Sequence, residues 1–225
     1  MNIYINVAIF GNVNIILFDL LNKIDISGLY EKCNKIYLIL NGDIEYLNID
    51  LKKDKYVIYE LNKDISKCEF PTLELIWKQS RLSDDNILYI HTKGVTRNNQ
   101  TIKDWTELLS YFNIIKWKDR INELNSYDCT GINLYGNKDD IKQHPATWGY
   151  GKAPLHYSGN FWWSKASHIR KLPNPISWLP DTNYYQWRIM AEMWVCQIED
   201  AKYYSAFSSN VDHYTSLYPK KLYQT

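Results

Sequence analysis

The residues best suited to chemistry stand in one short stretch, ILYIHTKG, from Ile87 to Gly94. A short apolar run ends there in an imidazole, a hydroxyl, an ammonium and a glycine. A buried strand that delivers polar, cationic groups at its carboxyl end is how open α/β sheets place ligand-binding residues in a crevice. Taken alone, His91 could equally cap a strand and Lys93 could be a solvated loop charge. Two further stretches give the motif weight: Gly11-Asn12 closing the first apolar run, and the aromatic segment HYSGNFWW from His156 to Trp163.

The elements that must position these groups read as an alternation of strands and helices. Ile3 to Phe10 alternates and is rich in β-branched residues, as a strand should be. Val13 to Ile24 carries apolar residues at helical spacing. Lys35 to Leu40 and Tyr56 to Leu61 are the second and third strands. Thr72 to Leu82, behind Pro71, is a helix with proline in its first turn. Ile87 to His91 is the fourth strand. This order implies a mostly parallel sheet with its ligand at the carboxyl edge.

Beyond residue 100 the pattern predicts one long amphipathic helix from Lys103 to Leu124 and a strand from Asp128 to Tyr135. A glycine- and charge-rich loop follows through Gly151. His156 to Lys165 begins as a strand and runs into a helix from Ser164 to Lys171. Pro175 to Asp181 is a loop, and Tyr185 to Cys196 a helix. No repeat or flexible linker interrupts the chain, so a single domain over 1–225 is expected.

Bulk composition excludes several classes. With 26 Lys+Arg against 25 Asp+Glu the formal charge is +1, so the chain has no global basic field for nucleic acid. Cys33, Cys68, Cys129 and Cys196 are widely spaced, with no CxxC pair, and read as reduced thiols. No basic segment precedes an apolar core at the N-terminus, and no apolar run approaches the ~20 residues that span a bilayer. A soluble, cytoplasmic protein is therefore expected. The 9 Trp and 19 Tyr are many, and rings of that kind suit both cores and surfaces that stack on sugars or bases.

The succession of ILYIHTKG, DWTELLSYF, YDCTGINLYG, HYSGNFWWSKASHIRKLP, RIMAEMWV and VDHYTSLYP resembles a group of GT-A-type glycosyltransferases of bacterial and viral surface-polysaccharide synthesis. The resemblance spans nearly the whole chain, and HTKG and SGNFWW carry most of it. It implies an α/β fold with a Rossmann-like, mixed but mostly parallel central sheet flanked by helices. About 1–100 would bind a nucleotide sugar and about 101–225 a glycan or other hydroxyl acceptor.

Where such enzymes carry an Asp-x-Asp for a divalent cation, this chain has His91-Thr92-Lys93. A positioned ammonium can stabilise a leaving diphosphate as a metal does. Lys93 is thus expected to replace the metal, with Gly94 admitting the phosphates and Thr92 donating a hydroxyl. The alternative retains Mn2+ or Mg2+ on His91, Asp212 and His213, since such enzymes often supply a C-terminal histidine.

The same resemblance assigns the sugar and acceptor to Ser158, Gly159 and Asn160 with Trp162 and Trp163. The two indoles point to opposite faces if the strand continues, so at least one is expected to be core. Glu192 interrupts an apolar helical stretch and is the candidate base, or else pairs with Arg188 one turn away. Asp181 is held in reserve. Donor contacts are expected from Phe10, Gly11, Asn12, Glu60, Thr72, Arg81 and the loop residue Arg97, and each has an ordinary reading. Those readings are a core place for Phe10, a helix cap for Asn12 and simple exposure for Arg81.

Two other classes compete with glycosyl transfer. A non-catalytic carbohydrate-binding protein would use the aromatics alone and leaves HTKG without a purpose. A nucleotidyltransferase shares the sheet, but normally has a glycine- and basic-rich loop after the first strand, and Gly11-Asn12-Val13-Asn14 is poor in both.

Overall fold

A computed structural model describes residues 1–138, 153–177 and 184–224; for Glu60, Leu61 and 184–187 it describes the backbone only. Four parallel strands form its first half: β1 (Asn2–Ile9), β2 (Lys35–Gly42), β3 (Tyr56–Asn62) and β4 (Asn86–His91). Between them lie α1 (Val13–Ile26), the single turn α2 (Leu29–Lys32) and α3 (Phe70–Gln79). The second half contributes α4 (Gln100–Ser110), α5 (Trp117–Glu123), β5 (Cys129–Gly131), and the two-stranded pair β6 (Leu134–Tyr135) and β7 (His156–Tyr157). After these come β8 (Trp162–Lys165), α6 (Ala166–Ile169), α7 (Tyr184–Met193) and β9 (Tyr203–Ser205).

The central sheet has seven strands in the order β3-β2-β1-β4-β8-β5-β9. Only β8 runs against its neighbours, pairing antiparallel with both β4 and β5. The fold is therefore mixed α/β with a mostly parallel sheet between helices, as expected. Period-two alternation divides the core between the two faces. Ile3, Ile5, Val7, Leu88, Ile90 and Trp163 join the apolar layer beneath α1 and α4. Tyr4, Ile87, Tyr89 and Trp162 join the layer with α3, α6 and α7. No helix of the described residues is long and apolar enough to cross a membrane.

Three expected elements divide. The helix expected over 103–124 begins earlier, where the Asn99 side chain caps α4 by accepting from Ile102 N–H at 3.1 Å, and it is broken by a π turn at Tyr111–Ile115. The wide turn accommodates Asn113, which donates to the Leu109 carbonyl at 2.9 Å and lends its own carbonyl to the Trp163 indole N–H at 2.9 Å. The strand expected over 128–135 turns at Asn133, where φ is +52°, so that the Asn133 carboxamide oxygen accepts from Ser209 N–H at 2.8 Å. Ser164 and Lys165 belong to β8, which shortens the following helix to Ala166–Ile169. The last helix stops at Met193 and tightens into a 3-10 turn, Trp194–Cys196.

Candidate active site

β1 and β4 run in register from Asn2↔Ile87 to Asn6↔His91, which brings Asn6 and His91 side by side at the carboxyl edge. Thr92 extends the ladder past the last pair. Its N–H donates to the Asn6 carbonyl at 3.0 Å and its Oγ1 accepts from Ala8 N–H at 3.0 Å. The chain then turns tightly at Gly94, where φ is +92° and a Cβ would meet Ile102 Cγ2 at 2.8 Å. Gly11, at the end of β1, packs so closely on this loop that a Cβ would sit 2.1 Å from the Val95 carbonyl oxygen. Glycine at both positions lets the two loops lie against each other.

These loops floor a cleft of about 200 Å³ that also takes in Phe10, Glu69, Arg97, Arg188, Glu192 and Tyr214. Lys93 is the cation at its base. Only 9% of this residue is exposed, and its Nζ lies 3.6 Å from the centroid of the Trp105 ring, a cation–π contact. No hydrogen bond or ion pair holds it among the described residues. Burial pulls the ammonium below the ordinary lysine range, while Glu192 and Glu69 act in the opposite direction. Glu192 faces the cleft from α7, likewise with no ion pair, so the expected pairing with Arg188 does not form among the described residues. Arg97 stands at the rim, its guanidinium 5.1 Å from the Tyr214 ring.

His91 is half-buried and donates from Nε2 to the Gly159 carbonyl at 3.0 Å. A carbonyl can only accept, so Nε2 carries the proton and Nδ1 keeps its lone pair. Burial, reinforced by the Lys93 charge, pushes its pKa down to about 3 and keeps the ring neutral. Nδ1 points towards Glu69 Oε1 at 3.9 Å. Glu69 stands outside every motif of the sequence. Its Oε2 accepts from the Tyr89 hydroxyl and the Asn160 carboxamide, both at 2.5 Å, and burial raises its pKa against these bonds. A signal existed: Glu69 immediately precedes the first residue of α3, and in a βαβ unit that point lies at the carboxyl edge.

Several expected contacts move elsewhere. Trp162 and Trp163 do point to opposite faces, but both are fully buried, because β8 is an interior strand covered on each side; neither can stack on a sugar. Gly159 and Asn160 act one layer behind the cleft, holding His91 and Glu69, and Ser158 binds the Asn133 carbonyl through its N–H at 2.9 Å. Thr72 is fully buried and donates to Asn6 Oδ1 at 2.9 Å, inside a clamp shared with Asn41. Arg81 lies at the opposite, amino edge, because α3 runs back against the strands. It stacks 3.4 Å above the Trp77 ring centroid. Phe10 is not core but stands 45% exposed on the rim. The Asn12 side chain makes no cap hydrogen bond; Asn12 instead lines a second cavity of about 660 Å³ between α1 and α4, which shares Lys93, Gly94 and Arg97 with the cleft.

The metal alternative is not assembled by these side chains. His213 is buried against Trp105, with ring centroids 5.3 Å apart, and its Nε2 meets Ser209 Oγ at 2.7 Å. Asp212 is exposed and caps its own turn by accepting from Tyr214 N–H at 2.9 Å. Among the described residues no group of three His, Cys, Asp or Glu side chains is arranged to hold a metal ion. Asp181 and the Glu60 side chain lie outside the described residues.

No family model and no curated protein matches this chain. Among solved structures it is similar to 4-diphosphocytidyl-2C-methyl-D-erythritol synthase from Anaerococcus prevotii, with 13% identity and a TM-score of 0.42, over 91% of this chain and 88% of that one. A likeness of that degree says nothing of what the cleft binds.

The cleft itself offers a definite set of chemical capacities. A desolvated ammonium at its base, with guanidinium groups at its rim, attracts a polyanion. The carboxylate of Glu192 can take a proton from a hydroxyl that approaches above Lys93. Glu69 and His91 supply neighbouring acceptor atoms to whatever lies between.

Proposed function

We propose that this chain is a nucleotide-dependent transferase, and that the group it transfers is a sugar carried by a nucleoside diphosphate. One observation supports this above the others: the Lys93 ammonium, at the carboxyl edge of a mostly parallel sheet, is nine-tenths buried against Trp105 and has no ion pair among the described residues. A buried charge without a counter-ion is costly, and such groups cluster where a ligand supplies one. A diphosphate is the ligand that a recessed cation with Arg97 and Arg188 above it suits. The strands up to His91 would hold the nucleotide, with Phe10 against it, and the later elements the acceptor.

In this reading the bond between the anomeric carbon and the diphosphate oxygen breaks as the acceptor oxygen bonds to that carbon. The electron pair leaves with the diphosphate, whose growing charge Lys93 stabilises. The acceptor proton passes to Glu192. Nucleotidyl transfer is the competing reaction on such a sheet. It is disfavoured by the loop from Phe10 to Asn14, which contains no cation to hold a triphosphate.

The test is a panel of UDP, GDP, ADP and dTDP, and the glucose conjugate of each, with and without Mn2+ and with EDTA. A ligand at 100 times its Kd should stabilise the fold by about 2.7 kcal/mol, seen as a raised melting midpoint. The conjugate that does so should release its nucleoside diphosphate on incubation with a hydroxyl acceptor. Pyrophosphate release from a nucleoside triphosphate would transfer the assignment to nucleotidyl chemistry. Absence of stabilisation by the whole panel would overturn the reading.

A further inference from the structure

We infer that Glu69 and His91 form a hydroxyl-reading pair in the cleft, a subsite for adjacent hydroxyl groups of the sugar part of the ligand. The inference rests on the donor reading above and adds which part of the donor the chain recognises. Two atoms carry it. His91 Nδ1 is an acceptor, because Nε2 is committed as a donor to the Gly159 carbonyl. Glu69 Oε1 is also an acceptor, because the two donors that reach this carboxyl, Tyr89 and Asn160, both bind Oε2.

The two acceptors lie 3.9 Å apart, too far for a shared proton to make a normal hydrogen bond. Neither has any other hydrogen-bond partner among the described residues. Two lone-pair atoms facing each other in a recess repel unless a donor comes between them. Asn160 and Gly159 hold both groups in place from behind, so the pair does not relax by turning away. A ligand hydroxyl that donates to either atom relieves the conflict, and two hydroxyls on neighbouring carbons can serve both at once. Lys93 lies in the same cleft, so a diphosphate held there would bring its sugar to this pair.

Glu69→Gln tests the pair and keeps the fold. The amide oxygen can take the Oε2 position and keep the Tyr89 and Asn160 bonds, which turns the amide nitrogen towards His91 Nδ1. Both reading atoms are then engaged. The measurement is the Kd of the best nucleoside diphosphate from the panel and of its glucose conjugate, on wild type and variant, by calorimetry. The wild type should bind the conjugate at least tenfold more tightly than the diphosphate. In Glu69→Gln that advantage should vanish while the diphosphate Kd stays within about twofold. A conjugate lacking one sugar hydroxyl should lose part of the advantage on the wild type only. Equal preference for the conjugate in wild type and variant would overturn the pair and leave the donor reading standing. Failure of the wild type to bind any diphosphate would overturn both.

Discussion

The two edges of the central sheet handle their polar groups in opposite ways. At the amino edge Asp85 accepts from Asn2, Asn34 and Ser83, each at 3.0 Å, and Arg170 is committed to Asp84 and to the Ser80 carbonyl. At the carboxyl edge Lys93 and Glu192 face a cleft without a hydrogen bond or ion pair among the described residues, and Glu69 and His91 each keep an acceptor atom free. Both edges are built from strand ends and loops of similar polarity. What separates them is the pairing of charge: Asp85 and Arg170 are matched within the chain, whereas Lys93 and Glu192 have no ion pair among the described residues.

That contrast breaks most visibly at Lys93. Lys93→Met keeps an unbranched side chain against Trp105 and removes the charge. Turnover should fall by about 100-fold, the scale on which a single charge-stabilising donor acts, while the melting midpoint rises because a desolvated ammonium is gone. A retained rate, or a lowered midpoint, would place Lys93 with the amino edge as a structural charge. Asp85→Ala makes the opposite trade. It should cost about 2 kcal/mol of stability in a denaturant titration, from the loss of three side-chain hydrogen bonds and one from the Met1 ammonium to a single carboxylate, and leave transfer unchanged below its new midpoint.

The smallest effect is shared by the two edges. Burial depresses the pKa of His91 and His213 at the carboxyl edge and of His168 near the amino edge. A histidine held neutral in the fold binds a proton more readily once unfolded. Stability is thus fully present above the ordinary value of about 6.5 and is lost as pH falls towards the His91 value of about 3. Each fully depressed histidine contributes a slope of about 1.4 kcal/mol per pH unit in that window. Melting midpoints at pH 7.5 and 5.5 should show the fall, and His91→Gln should make it shallower. A midpoint independent of pH over this interval would contradict the neutral assignment of His91, on which its free Nδ1 depends.

Much of this arrangement was legible in the sequence, and the exceptions have physical causes. β1 to β4 follow from β-branched runs closed by glycine, asparagine or polar residues, and the carboxyl-edge position of Lys93 follows from their parallel order. The antiparallel insertion of β8 beside β4 did not follow, because pairing between residues more than 70 positions apart leaves no local pattern. That insertion decides the tryptophans: on an outer strand one of the pair could have met a sugar, but on an interior strand both are enclosed. Arg81 lies away from the site because a helix returning against parallel strands ends at the opposite edge, a consequence the order of elements in the sequence already contains. Glu69 was missed because its character comes from Tyr89 and Asn160, one on the adjoining strand and the other 91 residues away.

Thr92 has a consequence for the cost of recognition. With its N–H on the Asn6 carbonyl and its Oγ1 taken by the Ala8 N–H, the backbone on which Lys93 stands is tied to β1 at two points. A long, flexible lysine side chain ordinarily gives up about 2 kcal/mol of rotational freedom when it is fixed on a partner. Here much of that ordering is already complete, because the Trp105 ring holds the ammonium and Thr92 fixes the root of the side chain. On the proposed donor reading, an anion would meet a charge already positioned, and its binding would spend little free energy on arranging it.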